Sequence, residues 1–155
     1  MTGEHLDGVL EIERVSYPTP WSRFSFLNEI YNNDFGYYYV ALHGNKVVGY
    51  AGMWVIIDEA HVTNISVHPD YRGKRLGELL LNVLMQEAIR FRADRITLEV
   101  RVSNRSAQRL YERVGFVSAG IRKGYYNDNN EDAIIMWKHL LKENEIGTGN
   151  NNSSN

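Results

Sequence analysis

The stretch HPDYRGKRLGELLL, residues 68–81, sets the topology of the chain, because it lies between a predicted strand and a predicted helix. The segment before it, AHVTNISV (60–67), is rich in the β-branched residues that favour strands. After it, apolar residues recur at helical spacing, and RITLEVR (95–101) then alternates as another strand. A strand–helix–strand unit of this kind predicts a parallel crossover. The apolar helix positions are Leu76, Leu79, Leu80, Val83, Leu84 and Ala88.

The segments before this unit predict two helices and a hairpin. Apolar spacing predicts a helix over 4–15, and Ser22 is the predicted N-cap of a second helix. The aromatic and β-branched segment 36–57 contains the turn signal His43-Gly44-Asn45, which predicts a β-hairpin. This hairpin continues into strand 60–67 as an antiparallel meander.

The segments after the unit complete a mixed sheet. A short helix is predicted with Ser103 or Asn104 as its N-cap, followed by a pair of strands over 116–122 and 132–139. The element order is therefore α-α-β-β-β-α-β-α-β-β, and the fold class is α/β. We expect one domain over residues 1–141.

Composition excludes several classes of site and partner. The net charge of −2 creates no global field for nucleic acid or an anionic membrane, and neither is expected as a partner. The absence of cysteine excludes disulfides, thiolate zinc sites and a cysteine nucleophile. The N-terminus is unlike a signal peptide and no apolar run approaches a membrane span, so we expect a soluble, cytoplasmic protein. The polar segment 142–155 is predicted to be disordered. No metal site is predicted, because His43, His61, His68 and His139 lack ligand spacing.

The chemistry of the stretch 68–81 is that of a phosphate site. A helix N-terminus offers unpaired N–H groups and a partial positive charge, and glycine allows backbone to approach a ligand. Gly73 and Gly77 supply the glycines, and Arg72, Lys74 and Arg75 supply countercharge. Neither the Walker pattern nor the dinucleotide fingerprint is present. The alternative is a solvated basic turn at the start of a surface helix.

Residues 72–77, RGKRLG, resemble the acetyl-CoA loop of the GNAT acetyltransferases, Gln/Arg-x-x-Gly-x-Gly/Ala, with Arg75 where glycine is usual. The preceding NISVHPDYRG (64–73) also resembles that family, and the element order matches its fold along residues 4–141. The resemblance implies a single mixed, mostly antiparallel sheet flanked by helices, and acetyl-CoA as cosubstrate without a metal. The implied coenzyme-binding residues are Ile65, Ser66, Val67, Arg72, Gly73, Lys74, Arg75, Leu76, Gly77, Glu78 and Asn104.

Within this family the chain resembles the ribosomal-protein-alanine N-acetyltransferases, the RimI group. The resemblance lies in PWS (20–22), LEVRVSN (98–104), LYERVGF (110–116) and RKGYYNDNNEDAIIM (122–136), among other stretches. It implies Glu99 as general base and Tyr111 as general acid. It also implies a protein N-terminus as acceptor, that of a small-subunit ribosomal protein, and we expect a monomer or weak dimer.

The residues themselves are compatible with these two roles. Glu99 alternates with Leu98 and Val100, so it faces away from them, and partial burial there would raise its pKa above about 4.3. Tyr111 lies two helical turns after Asn104, so both share one helix face. Glu99 could instead be a surface partner of Arg101, and Tyr111 a core residue with its hydroxyl bonded to backbone.

An N-terminal amine suits a single carboxylate base, because its pKa is near 8 and that of a lysine side chain is near 10.4. An aromatic groove is predicted to hold an extended peptide, with Asp128, Glu131 and Asp132 attracting its basic residues. The alternatives are a lysine or small-molecule acceptor, or a non-catalytic acetyl-CoA-binding subunit. The predicted substrate-binding residues are Tyr17, Trp21, Tyr125, Tyr126 and Glu131.

Overall fold

The structure is a computed structural model, and it describes residues 1–140. The predicted element order is confirmed within this range. The helices are α1 (Leu6–Ser16), α2 (Arg23–Tyr31), α3 (Leu76–Arg90) and α4 (Arg105–Arg113). The strands are β1 (Gly36–His43), β2 (Lys46–Ile56), β3 (Glu59–Val67), β4 (Arg95–Arg101), β5 (Val117–Tyr126) and β6 (Glu131–His139). Residues 141–155, which include the predicted disordered tail, lie outside the described residues.

The six strands form one sheet in the order β1-β2-β3-β4-β6-β5. Only β3 and β4 pair in parallel, as the crossover through α3 predicted, and the other neighbours are antiparallel. The last hairpin extends further than predicted, because Arg122 is followed by four more strand residues and its turn is only 127–130.

Each face of the sheet carries its own hydrophobic core cluster. On one face, α3 packs on β1, β2 and β3. Its buried residues join one core cluster with apolar residues of β4, and they are Leu80, Leu81, Leu84, Met85 and Ala88. Leu79 was predicted on this face but is exposed, because the buried face of α3 is rotated toward Leu81. On the other face, α1 and α2 bury Leu6, Val9, Ile12 and Phe26 against Val47 and Tyr50 of β2.

A β-bulge in β3 separates the two parallel strands. Gly52 pairs with Asn64, but the next residue, Met53, pairs with Val62, so Thr63 is the extra residue. The ladder between β3 and β4 extends only over 59–61 and 95–97. A bulge increases local twist and disrupts pairing, so the two strands diverge after this point and open a gap at their carboxyl ends.

Candidate active site

A cavity of about 860 Å³ occupies the gap between β3 and β4. Its walls are the end of β3, the loop 68–75, the first turn of α3, the end of β4 and the inner side of α4, and the α1–α2 loop (17–22) also contributes. The structure brings most of the predicted site residues together here. They are Tyr17, Trp21, Ile65, Ser66, Val67, Arg72, Gly73, Arg75, Leu76, Gly77, Glu78, Glu99, Asn104, Tyr111 and Tyr126. Lys74, Tyr125 and Glu131 do not line it.

The β3 wall offers an open strand edge. Beyond residue 61, β4 is not hydrogen-bonded to β3, so main-chain groups of 62–67 that face the gap have no strand partner in the described part of the chain. Two carbonyl groups at this wall accept bonds from side chains instead. The Tyr17 hydroxyl donates to the Ile65 carbonyl at 3.1 Å, and Arg72 Nε donates to the Val67 carbonyl at 3.1 Å. An elongated ligand with amide groups fits this edge.

The loop before α3 has the geometry of an anion site. Gly73 and Arg75 both adopt left-handed backbone, with φ of 79° and 61°. Among the described residues no side chain caps the α3 N-terminus, so its first N–H groups are open to a ligand. Left-handed residues beside a helix N-terminus form concave nests that bind phosphate oxygens. The cavity here is bordered by Arg72, Arg75, Arg109 and Arg113, whose charges fit a pyrophosphate.

Glycine is required at positions 73 and 77 of the loop for two different physical reasons. A side chain at Gly73 would meet nothing within 4 Å, so its glycine is explained by its positive φ. A Cβ at Gly77 would lie 3.3 Å from Leu110 Cδ2, so Gly77 allows α4 to approach α3 closely. Beside it, Glu78 Oε2 is buried without a hydrogen bond to any described residue, and Arg113 Nη2 lies 3.7 Å away.

Arg75 is expected to lower the stability of the fold. A non-glycine residue in left-handed backbone costs roughly 1–2 kcal/mol. Arg75→Gly relieves this strain, but glycine also increases the conformational entropy of the unfolded chain, which offsets part of the gain. We therefore expect the free energy of unfolding to rise by only about 0.5–1 kcal/mol. The same change removes a cation from the cavity wall, so we expect it also to weaken binding of the acetyl-CoA that the family resemblance implies. Thermal unfolding and calorimetric titration with acetyl-CoA measure the two effects.

Lys74→Gly is the matched control for this change. Lys74 is not among the residues with positive φ, and its ammonium lies 5.2 Å from the Tyr71 ring centroid, outside the cavity. This variant should lose stability and keep its affinity for acetyl-CoA. Equal melting temperatures for the two glycine variants would contradict the interpretation of Arg75.

Glu99 lines the cavity between the His61 imidazole and the Arg122 guanidinium. Its side chain is 7% exposed, Oε2 lies 2.6 Å from His61 Nε2, and Oε1 lies 3.5 Å from Arg122 Nε. An ionised carboxylate only accepts hydrogen bonds, so His61 donates from Nε2. The His61 ring also packs edge-on against Trp54. These contacts fix the orientation of the Glu99 carboxylate.

The prediction that burial raises the pKa of Glu99 is wrong in its net sign. Desolvation does raise this pKa, but the hydrogen bond from His61 and the charges of His61 and Arg122 together outweigh it. The pKa of Glu99 therefore lies below its ordinary value. Glu99 stays ionised at neutral pH. The suggested alternative partner, Arg101, pairs elsewhere.

Tyr111 presents a free hydroxyl to the cavity. The residue is 6% exposed, and its ring packs against Phe116 at a centroid distance of 5.9 Å. Within residues 1–140 its hydroxyl makes no hydrogen bond, which argues against a hydroxyl satisfied by backbone. Burial raises the pKa of Tyr111 well above its ordinary value, so the phenol stays protonated and can donate. Asn104, on the same helix, N-caps α4 by accepting from the Ala107 N–H at 3.2 Å.

The acidic residues of the last hairpin are bound to the protein itself. Arg101 donates to Asp128 at 2.9 Å and to Glu131 at 3.2 Å. Glu131 also accepts the Ser103 N–H at 2.9 Å, and bonds from Ser103 lower the pKa of Glu131 to about 2. Asp132 accepts the Gly124 N–H at 2.8 Å. The predicted attraction of peptide cations by these carboxylates therefore has to compete with their internal partners.

The aromatic residues predicted for the groove are only partly brought together. Tyr17, Trp21 and Tyr126 line the cavity, and Arg101 lies 3.9 Å from the centroid of the Tyr126 ring. Tyr125 lies outside it but packs edge-on against Tyr126 at 5.1 Å.

Sequence reasoning missed two residues that hold this site. His61 was considered only as a metal ligand, and the signal that it faces Glu99 is available only from the β3–β4 register. Glu13 is 2% exposed, and it accepts bonds from the Trp21 N–H at 2.9 Å and from the Tyr50 hydroxyl. It thereby anchors the α1–α2 loop. The only sequence signal for this role of Glu13 was its position next to the apolar stripe of an amphipathic helix.

Comparison with known proteins agrees with this geometry. The sequence matches the Acetyltransferase (GNAT) family over residues 6–116. This chain belongs to the GNAT acetyltransferase family. The GNAT match covers the sheet gap, the loop before α3, Glu99 and Tyr111.

Individual GNAT relatives resemble the chain over most of its length. A Bacillus subtilis (strain 168) protein, provisionally named a [ribosomal protein bS18]-alanine N-acetyltransferase, is 45% identical over 86% of this chain and 89% of its own. The crystal structure of the Escherichia coli ribosomal-protein-S18-alanine N-acetyltransferase superposes with a TM-score of 0.81 at 34% identity, over 93% of this chain and 94% of that one. A Bacillus anthracis protein provisionally named a streptothricin acetyltransferase, solved with acetyl coenzyme A, has a TM-score of 0.66 at 28% identity, over 73% and 67%.

Two further observations concern other classes of site. No helix within residues 1–140 is long and apolar enough to cross a membrane. The same residues contain no group of three or more side chains that could hold a metal ion.

Proposed function

We propose that this GNAT acetyltransferase transfers the acetyl group of acetyl-CoA to the N-terminal α-amine of a protein, with the N-terminal alanine of a small-subunit ribosomal protein as acceptor. The observation that carries the proposal is the convergence of an ionised carboxylate, Glu99, and a free phenol, Tyr111, on one cavity between the separated strands. The two relatives named for acetylation of ribosomal alanine support the acceptor. The reaction would take place in the cytoplasm.

Acetyl-CoA fits the cavity on three counts. The open edge of β3 suits the amide groups of its pantetheine arm. The nest at Gly73 and Arg75 suits its pyrophosphate, and four arginines border the part of the cavity where these anionic phosphates would lie. The acetyl-CoA complex of the Bacillus anthracis relative supports the same cosubstrate. The residues that would hold it all line the cavity: Ile65, Ser66, Val67, Arg72, Gly73, Arg75, Leu76, Gly77, Glu78 and Asn104.

The two central side chains divide the proton chemistry between them. Bound acetyl-CoA supplies an activated thioester, whose carbonyl carbon the acceptor nitrogen attacks, so that a C–N bond forms and the C–S bond breaks. Glu99 takes the proton that the nitrogen loses, directly or through water. The Tyr111 hydroxyl donates a hydrogen bond where negative charge develops on the leaving sulfur. No covalent intermediate on the protein is needed.

The low pKa of Glu99 favours an α-amine over a lysine as acceptor. A carboxylate with a lowered pKa is a weak base, so the acceptor has to be partly neutral before it binds. At neutral pH about a tenth of an α-amine with a pKa near 8 is neutral, compared with less than about a thousandth of a lysine side chain. This ratio alone favours the N-terminus by more than about 100-fold.

Peptide acetylation tests the proposal. We expect an alanine-led basic peptide to gain one acetyl group, and the same peptide with a blocked α-amine but a free lysine to react at least about 100-fold more slowly. Thiol release and peptide mass measure both reactions. Faster acetylation of the blocked peptide would show a lysine enzyme, and turnover of small amines alone would show a small-molecule enzyme. Binding of acetyl-CoA without turnover of any acceptor would show a non-catalytic role.

A further inference from the structure

Asn64 carries a buried polar atom that the mechanism does not use and that has no hydrogen-bond partner among residues 1–140. Asn64 of β3 lines the cavity, is 9% exposed, and holds its Oδ1 fully buried without a hydrogen bond among residues 1–140. Burial of an unpaired amide oxygen lowers the stability of the folded state, and native proteins retain few such atoms. A ligand that supplies an N–H group would satisfy it.

The β3 bulge places Asn64 level with Glu99. His61 pairs with Thr97, so two further residues along β4 lead to Glu99. Along β3 the extra residue Thr63 shifts the register by one, so Asn64 occupies the corresponding place across the gap. The two residues are separated by the gap where the strands diverge, and the other neighbour of Asn64, Gly52, has no side chain.

Asn64 and Glu99 also lie on the same face of the sheet. Leu98 and Val100 of β4 belong to the core cluster under α3, so Glu99 between them faces the other side. In β3, Ile65 and Val67 pack against that same cluster, so Asn64 and Ser66 face α1, where the Ser66 hydroxyl lies 3.3 Å from that of Ser16. Asn64 therefore faces the acceptor side of the cavity.

We propose that Asn64 is a substrate-binding residue whose Oδ1 accepts a hydrogen bond from the α-amino group of the acceptor. This inference rests on the function proposed above. A primary amine carries two N–H groups, of which Glu99 receives one as the C–N bond forms and Asn64 holds the other. Asn64 is neutral, so it accepts from the amine without stabilising the unreactive ammonium form as a second carboxylate would. Its side chain lies on the sheet face of Glu99, which assigns it to the amine and not to the coenzyme.

Asn64→Leu separates this role from a structural one. Leucine has a similar size and removes the unpaired oxygen, so the melting temperature should stay equal or rise. At the same time KM for an alanine-led peptide should rise at least about 10-fold, with the Kd of acetyl-CoA changed less than twofold. Asn64→Asp keeps an acceptor oxygen at this position, so it should retain most of the peptide affinity. It serves as the second variant if the leucine variant does not fold.

A modified peptide identifies the group that Asn64 binds. N-methylation of the first residue removes one N–H from the acceptor nitrogen. The unaltered protein should bind the N-methylalanine peptide about 10-fold more weakly than the alanine peptide in the presence of CoA, and Asn64→Leu should bind both alike. Calorimetric titration gives these Kd values without turnover.

Three results would overturn the inference. An unchanged peptide KM in Asn64→Leu, with the original protein active on the peptide, would show that Asn64 has no role in acceptor binding while leaving the proposed function intact. A selective loss of acetyl-CoA affinity would place Asn64 at the coenzyme. If the original protein acetylates no N-terminal amine, the proposed function fails and this inference fails with it.

Discussion

Replacing Glu99 by glutamine should lower kcat/KM for an N-terminal peptide by about 100-fold to 10,000-fold at neutral pH, the range that general-base catalysis contributes. Glutamine has the same shape and still accepts the bond that His61 donates at 2.6 Å, so the fold and the cavity are retained. It cannot take a proton from the attacking nitrogen. Steady-state kinetics with an alanine-led peptide measure the loss, and the affinity for acetyl-CoA should be unchanged.

Glu112→Gln is the matched control, because Glu112 is exposed on α4 and does not line the cavity. It should keep full activity. A Glu99→Gln variant with near-normal kcat/KM would remove Glu99 from the chemistry and revive the non-catalytic alternative.

The pH profile tests the same carboxylate. The pKa of Glu99 is lowered in the folded protein, so the ionised, active form persists as pH falls through the usual carboxylate range near 4.3. In His61→Ala the burial of Glu99 remains but its hydrogen bond is lost, so its pKa rises. The acid limb of kcat/KM, expressed per neutral amine, should therefore move to higher pH. An unmoved acid limb would show that His61 does not control Glu99.

Replacing Tyr111 by phenylalanine is expected to lower kcat by about 100-fold, the usual effect of removing one donor to a developing anion. The charge on sulfur develops only in the transition state, so KM for the peptide and the Kd of acetyl-CoA should change little. Stability should be nearly unchanged, because phenylalanine keeps the packing on Phe116 and the lost hydroxyl had no partner within residues 1–140.

Tyr31→Phe provides the comparison for this change. Tyr31 is exposed, and its hydroxyl, remote from the cavity lining, accepts the Gly3 N–H at 2.9 Å. It should retain full kcat. If Tyr111→Phe retained it as well, another group or water would have to stabilise the leaving sulfur.

The fold was largely predictable because its signals are local. The alternation in 95–101 and the 3.6-residue spacing in 76–88 reflect burial of one face of each element, and both elements form as predicted. The error at Leu79 shows the limit of this signal. Apolar spacing alone does not say which of two neighbouring leucine stripes faces the sheet, and here tertiary packing buries Leu81.

Sequence by itself determined the element order, the parallel crossover through α3 and the glycine–arginine loop before that helix, because each depends on neighbours in the chain. Only the tertiary structure decided the environment of Glu99. His61 and Arg122 reach it from other strands and reverse the expected direction of its pKa shift. The same holds for Arg101, which occupies the carboxylates of the last hairpin, and for Asn64, which the β3 bulge places level with Glu99. Electrostatic and hydrogen-bond partners are set by distance in space, which strand register fixes and local sequence patterns do not contain.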